Sequence, residues 1–204
     1  LFTDGAMQGA MEHRPSVGGS ILMDVVEAVA LYDGAQELHL ARLIILLNAF
    51  AGPDGSDAVE GLTKLAKLDF LLRYPVMLER ALNAKGSSTR DLHLEDHERH
   101  SVESEMVRYR FGPWDHRYRE FLNVLIAKGL TKVGIEGRTT VIGVTDSGRT
   151  LAGEFAKDPV FQPYVRRSAL LKRHFDLTAT NLMKFIYETF PEVVTLRSNE
   201  AIPT

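Results

Sequence analysis

The densest run of groups able to do chemistry is His93-Leu94-Glu95-Asp96-His97-Glu98-Arg99-His100. His93 and His97 are four residues apart and His97 and His100 three apart. A helix would therefore align the imidazoles on one face, the spacing a divalent metal uses. Glu does not follow the first His, so the zinc-protease pattern, two histidines with an adjacent general base, is matched only loosely. Residues 93–100 are dense in charge and read better as a solvated connector than as a metal site. Ser87, Ser88, Ser101 and Ser104 lie nearby in sequence. A serine nucleophile, however, needs a base and an orienting carboxylate in fixed geometry, which a polar connector does not supply. Gly52-Pro53-Asp54-Gly55 lacks the lysine of a phosphate-binding loop and reads as a turn, and Gly18-Gly19-Ser20 reads as a linker. The chain has no cysteine, which excludes a thiolate nucleophile, a disulfide framework and a Cys-based zinc site. The expectation is a non-enzymatic protein with no catalytic, cofactor-binding or metal-binding residues.

The basic residues offer a different chemistry. Residues 106–173 hold 13 Lys or Arg against 6 Asp or Glu, a balance of +7 in a chain whose net charge is −3. That asymmetry predicts one electropositive surface on an otherwise acidic protein. Arg117, Arg119, Lys132, Arg138 and Arg149 are its candidate members. On DNA they would touch phosphates, contacts that are salt-sensitive and carry no sequence information. On a protein they would meet acidic side chains, a role that suits the planar, bidentate guanidinium.

The elements that would carry these residues can be read from periodicity. Trp114, Tyr118, Phe121, Leu122, Leu125 and Ile126 recur at spacings of three and four, which predicts one buried helical face. Gly112-Pro113 suits the start of that helix, Asp115 its first turn, and Lys128-Gly129 its end. Trp114 is expected to anchor it in the core. Val133 and Ile135 alternate with Lys132 and Glu136, and residues 139–145 form a second, β-branched run. Glu136-Gly137-Arg138 between them reads as a short loop in which Gly137 takes a positive φ. Asp146 or Ser147 then caps a further helix. Helix, strand, tight turn, strand, helix is the order of a winged helix.

Elsewhere, residues 1–20 read as disordered, 21–34 as a strand or short helix, and 38–50 as a strongly apolar helix broken by residues 51–55. Residues 61–83 form a helical run that Pro75 should kink or end at Tyr74. Asp69 inside that run needs a partner, and Arg73 four residues on is the expected one. Residues 84–104 are a polar connector, 159–172 and 178–190 are helices, and 195–204 a loose tail. Leu170, Leu171, Phe175, Leu182, Phe185, Ile186 and Phe190 dominate the late helices. Leu171, Phe175, Phe185 and Phe190 are the candidates for docking a partner subunit. The fold class expected is α+β, mostly helical. One winged-helix-type domain would span 21–194, with extra C-terminal helices and an insertion at 84–104. A composition of 45% hydrophobic and 25% charged residues suits a globular domain. No apolar run is long enough for a bilayer and no secretory signal is visible, so a cytoplasmic location without membrane contact is expected.

Three stretches carry a resemblance to a known family. They are residues 63–75 (TKLAKLDFLLRYP), residues 108–115 (RYRFGPWD), and Leu125-Ile126-Ala127-Lys128-Gly129-Leu130 with the hairpin after it. Together with Phe190-Pro191-Glu192-Val193, they resemble the middle component of bacterial ABC-three-component systems, which include the small accessory subunit of Lamassu-type anti-phage defence. The resemblance covers roughly residues 38–194. It implies a non-enzymatic adaptor, placed between an SMC-like ATPase and a nuclease-type effector, that helps couple DNA sensing to effector activation. Double-stranded DNA is a further implied contact. A DNA-binding regulator or antitoxin is the alternative.

Overall fold

The computed structural model describes residues 36–100, 106–109, 112–197 and 202, all within one compact unit. The side chains of His97, His100, Val107, Arg108 and Tyr109 fall outside the description, as do the expectations for residues 1–34, Ser101 and Ser104.

Helix α1 spans Gln36–Phe50. Its run Leu43-Ile44-Ile45-Leu46-Leu47 is buried throughout, as expected of a helix apolar on every side. A turn follows, in which Gly55 sits at φ 76°, and a Cβ there would fall 2.0 Å from Nη1 of Arg149. Only glycine meets both conditions. Strand β1 (Val59–Glu60) leads into helix α2 (Leu62–Arg73), and helix α3 (Pro75–Ala84) starts one residue later. Tyr74 between the two helices is extended at φ −112°, ψ 90°, and Pro75 takes the first helical position. That is how the expected break at Pro75 is made: the ring bars Tyr74 from helical backbone and gives up no needed N–H. α2 is the central element, with Leu65, Leu68, Phe70, Leu71 and Leu72 fully buried. Each such leucine contributes about 1.5–3 kcal/mol of apolar burial.

The connector after α3 contains two short 3-10 turns, Arg90–Leu92 and Asp96–His100. It is tied to the body: Leu92 is buried, and Glu98 pairs with Arg167 at 2.6 Å.

Gly112–Trp114 is strand β3, paired antiparallel with β2 (Val107–Tyr109), so it does not open a helix. Helix α4 begins only at Tyr118 and runs to Ala127. This corrects the expected helix face: Trp114 lies outside the helix, half-buried and edge-on to Tyr118 at 5.6 Å. Pro113 is acceptable in a two-stranded ribbon, because a strand edge without a further partner requires no N–H there. Asp115 does serve the start of α4, accepting the backbone N–H of Arg117 at 2.9 Å.

Gly129 ends α4 at φ 67°, with its N–H on Ile126 and that of Leu130 on Leu125, both at 2.9 Å. This is the paired-bond helix stop in which glycine takes the left-handed position. Strands β4 (Thr131–Glu136) and β5 (Thr139–Val144) form a hairpin, with register from Thr131↔Val144 to Glu136↔Thr139. Gly137, first of the two turn residues, is at φ 61°. Strand β1 pairs with the far side of β5, giving an antiparallel sheet of order β1-β5-β4. Helix α5 spans Asp146–Phe155 and is capped by Thr145, whose hydroxyl accepts the N–H of Gly148 at 3.1 Å. The expected cap at Asp146 or Ser147 is therefore one or two residues late.

Helices α6 (Gln162–Phe175), α7 (Ala179–Thr189) and α8 (Pro191–Thr195) close the core. Ile202, in the stretch read as a loose tail, is buried, and its N–H donates to Met106 at 2.9 Å. The fold class is α+β: mostly helical, with a small three-stranded antiparallel sheet and a two-stranded ribbon.

Candidate interaction surface

Two arrangements stand out, one inside the helical body and one on the hairpin. The inner one is built on Asp69 of α2, which is fully buried. Arg42 of α1 grips its carboxylate with two bonds, Nε–Oδ1 at 2.7 Å and Nη2–Oδ2 at 3.1 Å. The hydroxyl of Tyr118, from α4, donates to Oδ2 at 2.8 Å. Arg73 reaches the Asp115 carboxylate at 3.1 Å, which also holds Arg117 at 2.8 Å. The expected partner of Asp69 is thus corrected. Arg73 adds charge nearby, but the bidentate partner comes from another helix, 27 residues away in sequence.

These contacts decide the protonation states. Burial pushes Asp69 up, but the charge and bonds of Arg42, with Arg73 and Tyr118, hold its carboxyl below the usual range. Burial, and then the Asp69 charge, raise Tyr118 well above an ordinary phenol. His39 lies beside Arg42, Nδ1 to Nη1 at 3.1 Å, and stacks on Phe121 at 5.3 Å. A guanidinium can only donate, so Nδ1 is the bare nitrogen and Nε2 carries the proton. Among the described residues Nε2 has no hydrogen-bond partner. Burial first, and then the charges of Arg42, Arg73 and Arg117, lower His39 to about 4. Lys67, also buried, donates to the Thr63 carbonyl at 3.1 Å and is lowered by burial to about 8. Asp69, Tyr118 and His39 are each at most 1% exposed. They clamp α1, α2 and α4 together.

The outer arrangement is the face shared by α4 and the hairpin. Ile126 is 41% exposed, Val133 45% and Ile135 78%. Val133 also borders a recess of about 460 Å³, lined with it by Leu62, Leu122 and Ile142, with Glu60 and Arg138 among its polar lining. The recess forms because β4 and β5 outrun the body. On the shared face Thr131 and Val144 are buried, Ile142 is buried, and Val133 and Ile135 extend beyond.

The five basic candidates differ in their surroundings. Lys132 and Arg138 sit exposed on the hairpin and Arg119 exposed on α4. Arg117 is held by Asp115 and lies over the Phe121 ring, and Arg149 donates to the Pro53 carbonyl at 2.8 Å. Of the apolar candidates, Leu171, Phe175 and Phe190 are 0% exposed and belong to the core, which corrects their docking role. Phe185 is partly buried and packs against the same core. Sequence reasoning missed Arg42, His39 and Lys67. Their signal was present as charged residues inside apolar runs. It also missed the exposure of Val133 and Ile135, which alternation alone assigns to a covered face. Among the described residues no group of three or more His, Asp or Glu side chains is placed to hold a metal ion. No helix of the described residues is long and apolar enough to cross a membrane.

Compared with protein-family models, with curated proteins and with solved structures, the chain finds no match in any of the three.

Proposed function

We propose that the protein is a non-enzymatic adaptor of winged-helix type, the middle subunit of an SMC-like ATPase defence complex of the Lamassu kind. In this reading it bridges the ATPase to a nuclease-type effector. The order α1, β1, α2, α4, β4, β5, with β1 paired to the last strand, supports the winged-helix reading. In that frame α3 and residues 85–117 are an insertion and α6 to α8 an extension.

The observation that carries the adaptor reading is the make-up of α4 and the wing. The outer face of α4 presents Arg119, Glu120, Asn123 and Ile126, an anion and an apolar group beside a single cation. A helix laid against phosphates needs cations there, whereas a protein interface takes an apolar centre with a polar rim. Docking on the ATPase therefore uses Ile126 at the centre, with Arg119 and the wing-tip Arg138 meeting acidic residues.

Co-expression of this chain with the products of its neighbouring genes, followed by mass determination, tests the reading. The expected result is a stable complex with a long coiled-coil ATPase, lost on Ile126→Asp and weakened by Arg138→Glu while both variants stay folded. A chain that ignores those products and shifts a DNA duplex by itself would replace the adaptor with a DNA-binding regulator.

A further inference from the structure

We infer that strand β4 is a self-association edge, pairing antiparallel with β4 of a second copy about a two-fold axis at Gly134. This goes beyond the adaptor reading and does not depend on it. Three observations lead to it.

The first is that, among the described residues, no strand pairs with the outer side of β4. The sheet order leaves it at an edge, and Lys132 to Glu136 are all exposed. Gly134 has no side chain, so its exposure is exposure of backbone.

The second is the direction of the backbone groups. The carbonyl of Glu136 and the N–H of Thr139 flank a two-residue turn, where the hairpin makes its closing bond. In an antiparallel pair, bonded and non-bonded positions alternate. Glu136, Gly134 and Lys132 thus bond inward to β5, while the N–H and C=O groups of Val133 and Ile135 point outward. A two-fold at Gly134 sets Val133 opposite Ile135 of the second copy, twice, so each outward donor meets an outward acceptor. An axis lying between residues would set outward groups against inward ones and make no ladder.

The third is the side chains in that register. Lys132 falls opposite Glu136 of the second copy, again twice, so opposite charges pair on one face. On the other face two Val and two Ile form one apolar strip beside the Leu62–Leu122 recess. Moving the axis to Val133 sets Lys132 against Gly134 and loses both charge pairs. Moving it to Ile135 sets Lys132 against Arg138, like against like. One register alone satisfies backbone, charge and apolar face together. Edge strands that must stay single are kept short, bulged, or guarded by a charge that repels a second copy. β4 has six residues and no proline, and its two charges cancel across the axis.

The test is a sedimentation measurement on the full chain and two charge reversals, Lys132→Glu and Glu136→Lys. Both positions are exposed, and circular dichroism checks that each variant keeps its fold. The wild type is expected to be a dimer. Each reversal alone places like charges opposite each other at both ends of the pairing and should raise the dissociation constant about tenfold or more. Mixing the two single variants restores both pairs, so the mixture should dimerise where neither does alone. A chain carrying both substitutions should behave as the wild type. A wild type that stays monomeric across the concentration range, singles that dimerise as the wild type does, or a mixture no tighter than its components would each overturn the proposal.

Discussion

The helical body and the hairpin have opposite polarity. In the body, Asp69, Arg42, Arg73 and Tyr118 are charged or polar and closed from solvent. On the hairpin, Val133 and Ile135 are apolar and open. A buried ion pair is a weak source of net stability, since desolvation offsets most of its attraction, but removing one partner is costly. An exposed apolar side chain contributes little to the isolated fold and becomes useful when another surface covers it. The contrast separates the two regions by role: the body's exceptions lock three helices into one arrangement, and the hairpin's exceptions are available for association.

The largest expected effect lies in the body. Asp69→Ala leaves Arg42 buried without its carboxylate and should cost about 3–5 kcal/mol, read as a fall in the urea midpoint. If Ile135→Thr destabilised the chain more than Asp69→Ala, the contrast would be reversed.

Next is Tyr118→Phe, which removes one bond to a charged acceptor while keeping the ring. A loss of about 1.5–3 kcal/mol is expected in the same assay. No change would mean that the hydroxyl does not help to hold the carboxylate.

A pH dependence sharpens the body side. The folded pKa of His39, about 4, lies below its ordinary 6.5. Below about 6.5 the unfolded chain takes a proton that the folded chain refuses, so stability present above that pH is lost as pH falls towards 4. Chemical denaturation at pH 7 and pH 5 should show the fall, and His39→Gln should show a smaller one. An equal fall in the variant would place the titration elsewhere.

The smallest effect on folding is expected on the hairpin. Ile135→Thr keeps a β-branched residue and should shift the stability of the single chain by no more than about 0.5 kcal/mol, measured by thermal melting at a concentration low enough to keep the chain monomeric, while weakening association. A large loss would show that the face is covered within the chain.

Much of the fold was legible in the sequence because it is written in local backbone chemistry. Gly129 and Gly137 sit at positive φ as expected, Pro75 starts a new helix after Tyr74, and the hairpin has the run lengths that alternation implied. The misreadings share one cause. Gly112-Pro113-Trp114 fits a helix start by local rules, but its antiparallel pairing with Val107–Tyr109 makes it a strand. Leu171, Phe175 and Phe190 are apolar and helical whether they face a core or a partner, and only packing tells which.

The sequence by itself determined where helices and strands begin, turn and stop, because φ restriction, capping and periodicity act over a few residues. The tertiary structure decided which charges pair and which apolar side chains stay uncovered. Asp69 meets Arg42 rather than its neighbour Arg73 because the Arg42 side chain, carried on another helix, reaches the buried carboxylate at 2.7 Å. Val133 and Ile135 remain open because the hairpin outruns the body that would cover them. Both depend on how whole elements lie against one another, and a side chain's environment is a property of that arrangement rather than of its neighbours in the chain.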